Sequence, residues 1–146
     1  MNLFAVMEVS GSALIAERQR AEIVASNLAN AETTRTPEGG PYRRMQIIFG
    51  ARRPQFPAFG MMLAAARDFH VQGVRVEGVV ADGSPPVRRY EPGHPDADAQ
   101  GYVSFPAINP VEEMVDLMGA ARAYQLNAAA IQATKAMIQA SIEIVR

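Results

Sequence analysis

The sequence predicts an α+β fold: an antiparallel, coiled-coil-like pair of long N- and C-terminal helices with a small β-rich middle domain. Three observations predict it. Both ends of the 146-residue chain carry apolar residues at helical spacing. Nearly all the prolines and most of the glycines fall between those ends. The stretch between them contains short segments that alternate apolar and polar residues. The expected organisation is an N-terminal helix in 1–30, a β-rich middle in 31–109 and a C-terminal helix in 110–146, packed on the first.

Residues 3–29 read as the first helix. Met7, Leu14, Ala21 and Leu28 recur every seven residues. Leu3 and Val24 lie on the neighbouring line, which Ser10 and Glu17 interrupt. The stripe is therefore one-sided and imperfect. "ASNLANAETTRTP", 25–37, closes the helix, with Asn27 and Asn30 in its last turns. Asn tolerates left-handed backbone at a helix end and can bond released backbone groups. That role explains Asn30. Asn27 is still inside the last turn, so it is expected to bond across to another helix or another subunit.

The middle opens on the turn cluster "PEGGPYRR". Strands are expected over 43–49 and 71–80, with shorter ones at "VRRYE" and "GYVSF". The stretch 51–69 reads equally as a short helix or an apolar loop.

Residues 110–145 read as the second helix. Leu117, Tyr124, Ile131, Ile138 and Val145 fall on one heptad line. Met114, Ala121, Ala128, Lys135 and Ile142 fall on the adjacent one. Together they give a seam of alternating large and small residues, broken once by Lys135. Asn109 can cap this helix, Pro110 suits its first position, and Glu112 sits where a capping carboxylate would reach back. Met114 and Met118 lie one turn apart, either filling the core or forming a surface that repacks against partners.

Composition excludes several classes. A formal net charge of −1 gives no support to nucleic-acid binding. The absence of cysteine removes disulfides, thiolate nucleophiles and cysteine zinc sites. The longest apolar run, near 58–66, is far short of a spanning helix. The N-terminus does not read as a cleavable signal, since Glu8 interrupts its apolar stretch and no basic residue precedes it. His94, Asp96 and Asp98 invite a metal or hydrolase reading, but their spacing matches no standard site. Between Pro92 and Pro95 they read as a rigid solvated turn, in which Asp96 and Asp98 bond nearby backbone amides. His70 is the other histidine, and the arginines at 35, 43, 44, 52 and 53 read as a solvated face or partner contact. No catalytic, cofactor or metal residues are assigned.

Four stretches taken together, "ASNLANAET", "GGPYRR", "YEPGHPDADAQGYVSFP" and "NPVEEMVDLMGAARAYQLNAAAIQATKAM", resemble the rod and hook family of the bacterial flagellum. The motif "YEPGHPDADAQGYV", 90–103, with the short chain, is similar to its proximal-rod members. The resemblance runs from about residue 10 to 140 and is weakest over 50–70. It implies a structural, non-enzymatic subunit without cofactor, part of the drive shaft that carries torque from motor to hook. It implies passage through the flagellar type III export apparatus, without a cleaved signal, and assembly in the periplasm. The implied partners are copies of itself, other proximal and distal rod subunits and a ring–rod adaptor. The helix seam expected to carry assembly comprises Met7, Leu14, Leu28, Asn27, Asn30, Met114, Leu117, Tyr124, Ile131 and Ile138. A different reading is a cytoplasmic helical-hairpin adaptor that binds a partner helix.

Overall fold

A computed structural model describes residues 3–52 and 72–144. Helix α1 spans Leu3–Ala29 and helix α2 Pro110–Ile144. Between them come strands β1, Met45–Ala51; β2, Val74–Ala81; β3, Val87–Tyr90; and β4, Tyr102–Phe105. The architecture is α+β, two long helices flanking a small β region. The ambiguous stretch after Arg52, with His70 and Val71, lies outside the described residues, as does Val145.

Two two-stranded sheets form, β1 with β2 and β3 with β4. Around the first pair, Asp82 donates its backbone N–H to Arg44 and Arg52 donates to Gly73, so β1 and β2 run antiparallel. Pairing begins at Met45, two residues later than the sequence suggests. In the second pair Val87 faces Phe105 and Tyr90 faces Tyr102, antiparallel. The Tyr90 and Tyr102 rings meet edge to face at 5.3 Å. Arg88 lies over the Tyr102 ring and Arg89 over the Phe105 ring, at 5.0 and 4.7 Å.

The chain divides into two compact units. One comprises 1–18, 49–77 and 121–146. Its buried residues include Ser10, Ala16 and Thr134. There Ser12 donates to the Val9 carbonyl at 2.7 Å and accepts the Val74 N–H at 3.0 Å, which ties the start of β2 to α1. Gly73 allows that approach, since a Cβ there would stand 2.6 Å from the Ser12 hydroxyl. The other unit comprises 19–48 and 78–120, with Val24, Val103, Phe105 and Ala120 as its buried apolar residues. In it Asn27 bonds Glu113 and Arg20 bonds Asp116. One partner number falls as the other rises, so these parts of α1 and α2 run antiparallel.

The helix ends follow local chemistry. At the start of α2, Asn109 Oδ1 accepts the Val111 N–H at 3.1 Å, and its carbonyl takes the first helical bond from Glu113. Glu112 reaches back to the Asn109 side-chain amide, not to its backbone. At the end of α1, Asn30 Nδ2 donates to the Ser26 carbonyl at 2.9 Å. Left-handed backbone is not used there: among the described residues only Gly39, Gly40 and Gly101 have positive φ. The helix tightens instead, with Ala31 donating to Leu28 and Thr33 to Asn30.

Candidate assembly interface

Asn27 stands at the centre of a buried polar cluster in the unit formed by 19–48 and 78–120. Its side chain is 1% exposed. Oδ1 accepts the Met45 N–H at 2.8 Å and the Tyr42 hydroxyl at 3.2 Å. Nδ2 donates to the Met45 carbonyl at 2.8 Å and to Glu113 Oε2 at 3.1 Å. All four hydrogen-bonding positions of the amide are filled. Glu113, on α2, is also 1% exposed, and its Oε1 accepts from Arg44 Nε at 2.6 Å. Arg44 extends towards Asp116 at 3.7 Å, and Arg20 meets the same carboxylate at 3.2 Å. The hydrogen bond to Glu113, opposed by partial burial and aided by the attraction of the Glu113, Asp116 and Asp82 carboxylates, holds the Arg44 guanidinium above its ordinary value. It stays cationic, so the buried carboxylate keeps its counter-charge. Asn27 thus joins α1 to the first residue of β1 and to α2 at once.

The sequence points to Asn27 by its position inside the last turn, and to a bond with another helix or another subunit; the bond to Glu113 is with the other helix of the same chain. Glu113 is not singled out by the sequence, and Arg44 reads only as one of a basic cluster. A glutamate in a first helical turn reads as a dipole partner on the surface, and an arginine in a basic cluster reads as solvated. Their separation of 69 residues hides the pairing.

The other expected seam residues take varied places. Met7, Leu14, Leu28, Leu117, Ile131 and Ile138 are half-buried, and Tyr124 is exposed. Met114 is exposed, as are Ala121, Lys135 and Ile142 from its heptad line. The most buried positions of α2 are Glu113, Ala120 and Thr134, with Asn127 half-buried between them. They form a line one residue over. Polar side chains there satisfy themselves on the helix: Thr134 donates to Ala130 and Asn127 to Ala123, at 2.8 and 2.9 Å. The opposite side of α2 is uncovered and mostly apolar, broken by Arg122. Val111, Val115 and Met118 lie there at helical spacing, with Leu126 and Met137 beyond them, all exposed.

The loop from Glu91 to Gly101 is a braced turn. Asp98 Oδ1 accepts the N–H groups of Gln100 and Tyr102, at 2.9 and 2.8 Å, and Oδ2 pairs with Arg88. The Tyr102 amide is the chief reason its carboxyl lies below the usual aspartate range. Asp96 does not bond the local amides expected of it. Its Oδ2 accepts from Thr34 at 2.8 Å, pinning the segment after α1, while its own N–H donates to His94 Nδ1. A groove of about 430 Å³ runs beside it, with Thr34, Arg35, Pro41, Asp96 and Ser104 among its lining. Among the described residues no cluster of three or more His, Cys, Asp or Glu is placed to hold a metal ion, and no helix is long and apolar enough to cross a membrane.

Residues 7–35 match the family described as flagella basal body rod protein, and 99–144 match the C-terminal region described for flagellar basal body rod FlgEFG proteins. The chain is 40% identical to the flagellar basal-body rod protein FlgC of Borreliella burgdorferi, over all of this chain and 99% of the relative. It is 39% identical to the protein of that name in Escherichia coli, over 94% of each chain. With that of Bacillus subtilis the identity is 38%, over 99% of each.

Proposed function

The chain belongs to the FlgC family of flagellar basal-body rod proteins and is a structural subunit of that rod; on this premise we propose that it builds the proximal segment, the part of the drive shaft nearest the motor. The observation that carries the reading is an identity of 38–40% along nearly the whole length of relatives from distant bacteria. The subunit leaves the cytoplasm through the flagellar export apparatus and joins the rod in the periplasm. Its partners are copies of itself, the neighbouring proximal and distal rod subunits and a ring–rod adaptor, and it performs no catalysis. The helical ends 1–30 and 110–146 serve as the assembling parts, and 31–109 as the outer domain. The uncovered apolar side of α2 supports this reading. Monomeric proteins rarely leave so long a side uncovered, and a subunit in a shaft covers it with neighbours.

An in-frame deletion examined by electron microscopy of basal bodies tests the proposal. The expected result is cells without filaments, whose basal bodies end at the membrane ring. Complete rods and hooks in the deletion strain would refute it. A chain recovered as a stable cytosolic dimer would favour the adaptor reading instead.

A further inference from the structure

Apolar burial alone does not decide how α2 lies on α1. Within 110–120, the most apolar side of α2 is the exposed one, carrying Val111, Val115 and Met118, while Glu113 and Ala120 are 1% exposed. A helix guided by hydrophobicity would turn the other way. We propose that Glu113 is the specificity-determining residue of the helix pair, selecting both the side of α2 that meets α1 and its register along it.

The selection follows from the fixed orientation of Asn27. Its Oδ1 must face the Met45 N–H and its Nδ2 the Met45 carbonyl, because the reverse places donor on donor and acceptor on acceptor. The remaining Nδ2 hydrogen then points at α2 and requires an acceptor. Arg44, beside Met45, brings a second donor to the same place. The position opposite must accept from both, one of them a cation; a carboxylate does so with a separate oxygen for each donor and with the matching charge, which a neutral amide lacks. Slipping α2 by one turn would bring Asn109 or Leu117 to that place; turning it would bring Val111 or Val115. Leu117, Val111 or Val115 strands both donors out of water, and Asn109 offers them a single neutral oxygen. Buried polar groups have this role in coiled coils, where one such residue fixes register among packings of similar apolar content. The selection operates whether or not the subunit enters a rod, so this inference and the proposed function fail separately.

The chain has no cysteine, so introduced pairs report register. With Asn27 opposite Glu113 in an antiparallel pair, Val24 falls near Leu117. Val24→Cys is combined in turn with Leu117→Cys, with Ala121→Cys for a one-turn slip, and with Val115→Cys for a turned helix. Oxidative cross-linking of the purified full-length chain should favour the Leu117 position on the order of tenfold or more, as stranded donors disfavour the others. The same pairs are then placed in Glu113→Leu/Arg44→Leu, which removes the buried carboxylate and its cationic partner together and keeps the Asn27–Met45 bonds. Helical circular dichroism should persist, and the cross-links should spread to the Ala121 and Val115 positions. Continued preference for Leu117 in that background overturns the inference. So does a scattered pattern in the parent. Loss of helix in the double variant also overturns it, since the cluster would then hold the fold up instead of choosing among packings.

Discussion

The side-chain amide of Asn27 pairs with both backbone groups of Met45, at 2.8 Å each, so a helix residue takes the place of a neighbouring strand where β1 begins. Asn27→Ala leaves these groups and one Glu113 oxygen without their partner. At about 1–3 kcal/mol for each uncompensated group, partly relieved by water, denaturant unfolding should show a loss on the order of 2–4 kcal/mol. Asn27→Asp is expected to be worse at neutral pH. It keeps the shape but sets an oxygen against the Met45 carbonyl and the Glu113 carboxylate. Adding Glu113→Gln should recover part of that loss. An Asn27→Asp chain as stable as Asn27→Ala would contradict this account.

The two sides of α2 should respond differently to charge. Met118 is 64% exposed in the subunit, so Met118→Asp is expected to change its stability by no more than about 0.5 kcal/mol. Swimming should nevertheless be abolished, because the new carboxylate falls on the side proposed to meet neighbours. Ile131 is half-buried, and Ile131→Asp should lower the melting temperature as well as block motility. Motile Met118→Asp cells would remove that side from the assembly surface.

Asp98 gives the Glu91–Gly101 turn a pH dependence of definite sign. Its pKa is lower in the folded chain than in the unfolded one, chiefly through the Tyr102 amide. The stability it contributes is therefore complete above the ordinary aspartate value, about 3.9, and is lost as pH falls through the lowered folded value. Amide exchange at Gln100 and Tyr102 should stay slow down to that range and then accelerate. Asp98→Asn keeps the acceptor for both amides and should be mild, while Asp98→Ala should loosen the turn at every pH.

Gly101 has φ +81°, and a Cβ there would lie 2.9 Å from the Tyr90 ring. Gly101→Ala combines an unfavourable backbone conformation with a displaced aromatic and should cost on the order of 1–3 kcal/mol by thermal unfolding. An unchanged melting temperature would show that the turn adapts freely.

Helix and strand positions along the chain are legible because periodicity and turn chemistry are local. Capping by Asn109 and Pro110 set the start of α2, and proline and glycine bounded the strands. What stayed hidden depends on distant pairing. The heptad of Met114 reads as seam because it is apolar, yet Glu113, Ala120 and Thr134 are the buried residues. A pattern that counts apolar residues passes over a carboxylate that finds an arginine 69 positions away. It also passes over a threonine that satisfies itself on its own helix. The bond of Asp96 is hidden for the same reason: its partner, Thr34, lies 62 residues upstream and not in the adjacent turn.

Val111, Val115 and Met118 have a thermal consequence. Covering such a side releases ordered water, so near 25 °C the association is carried by entropy and lowers the heat capacity. The grip between α2 and whatever covers it then weakens on chilling and strengthens with moderate warming. A shaft whose joints close in this way would be cold-labile, loosening at its subunit contacts well before its subunits unfold.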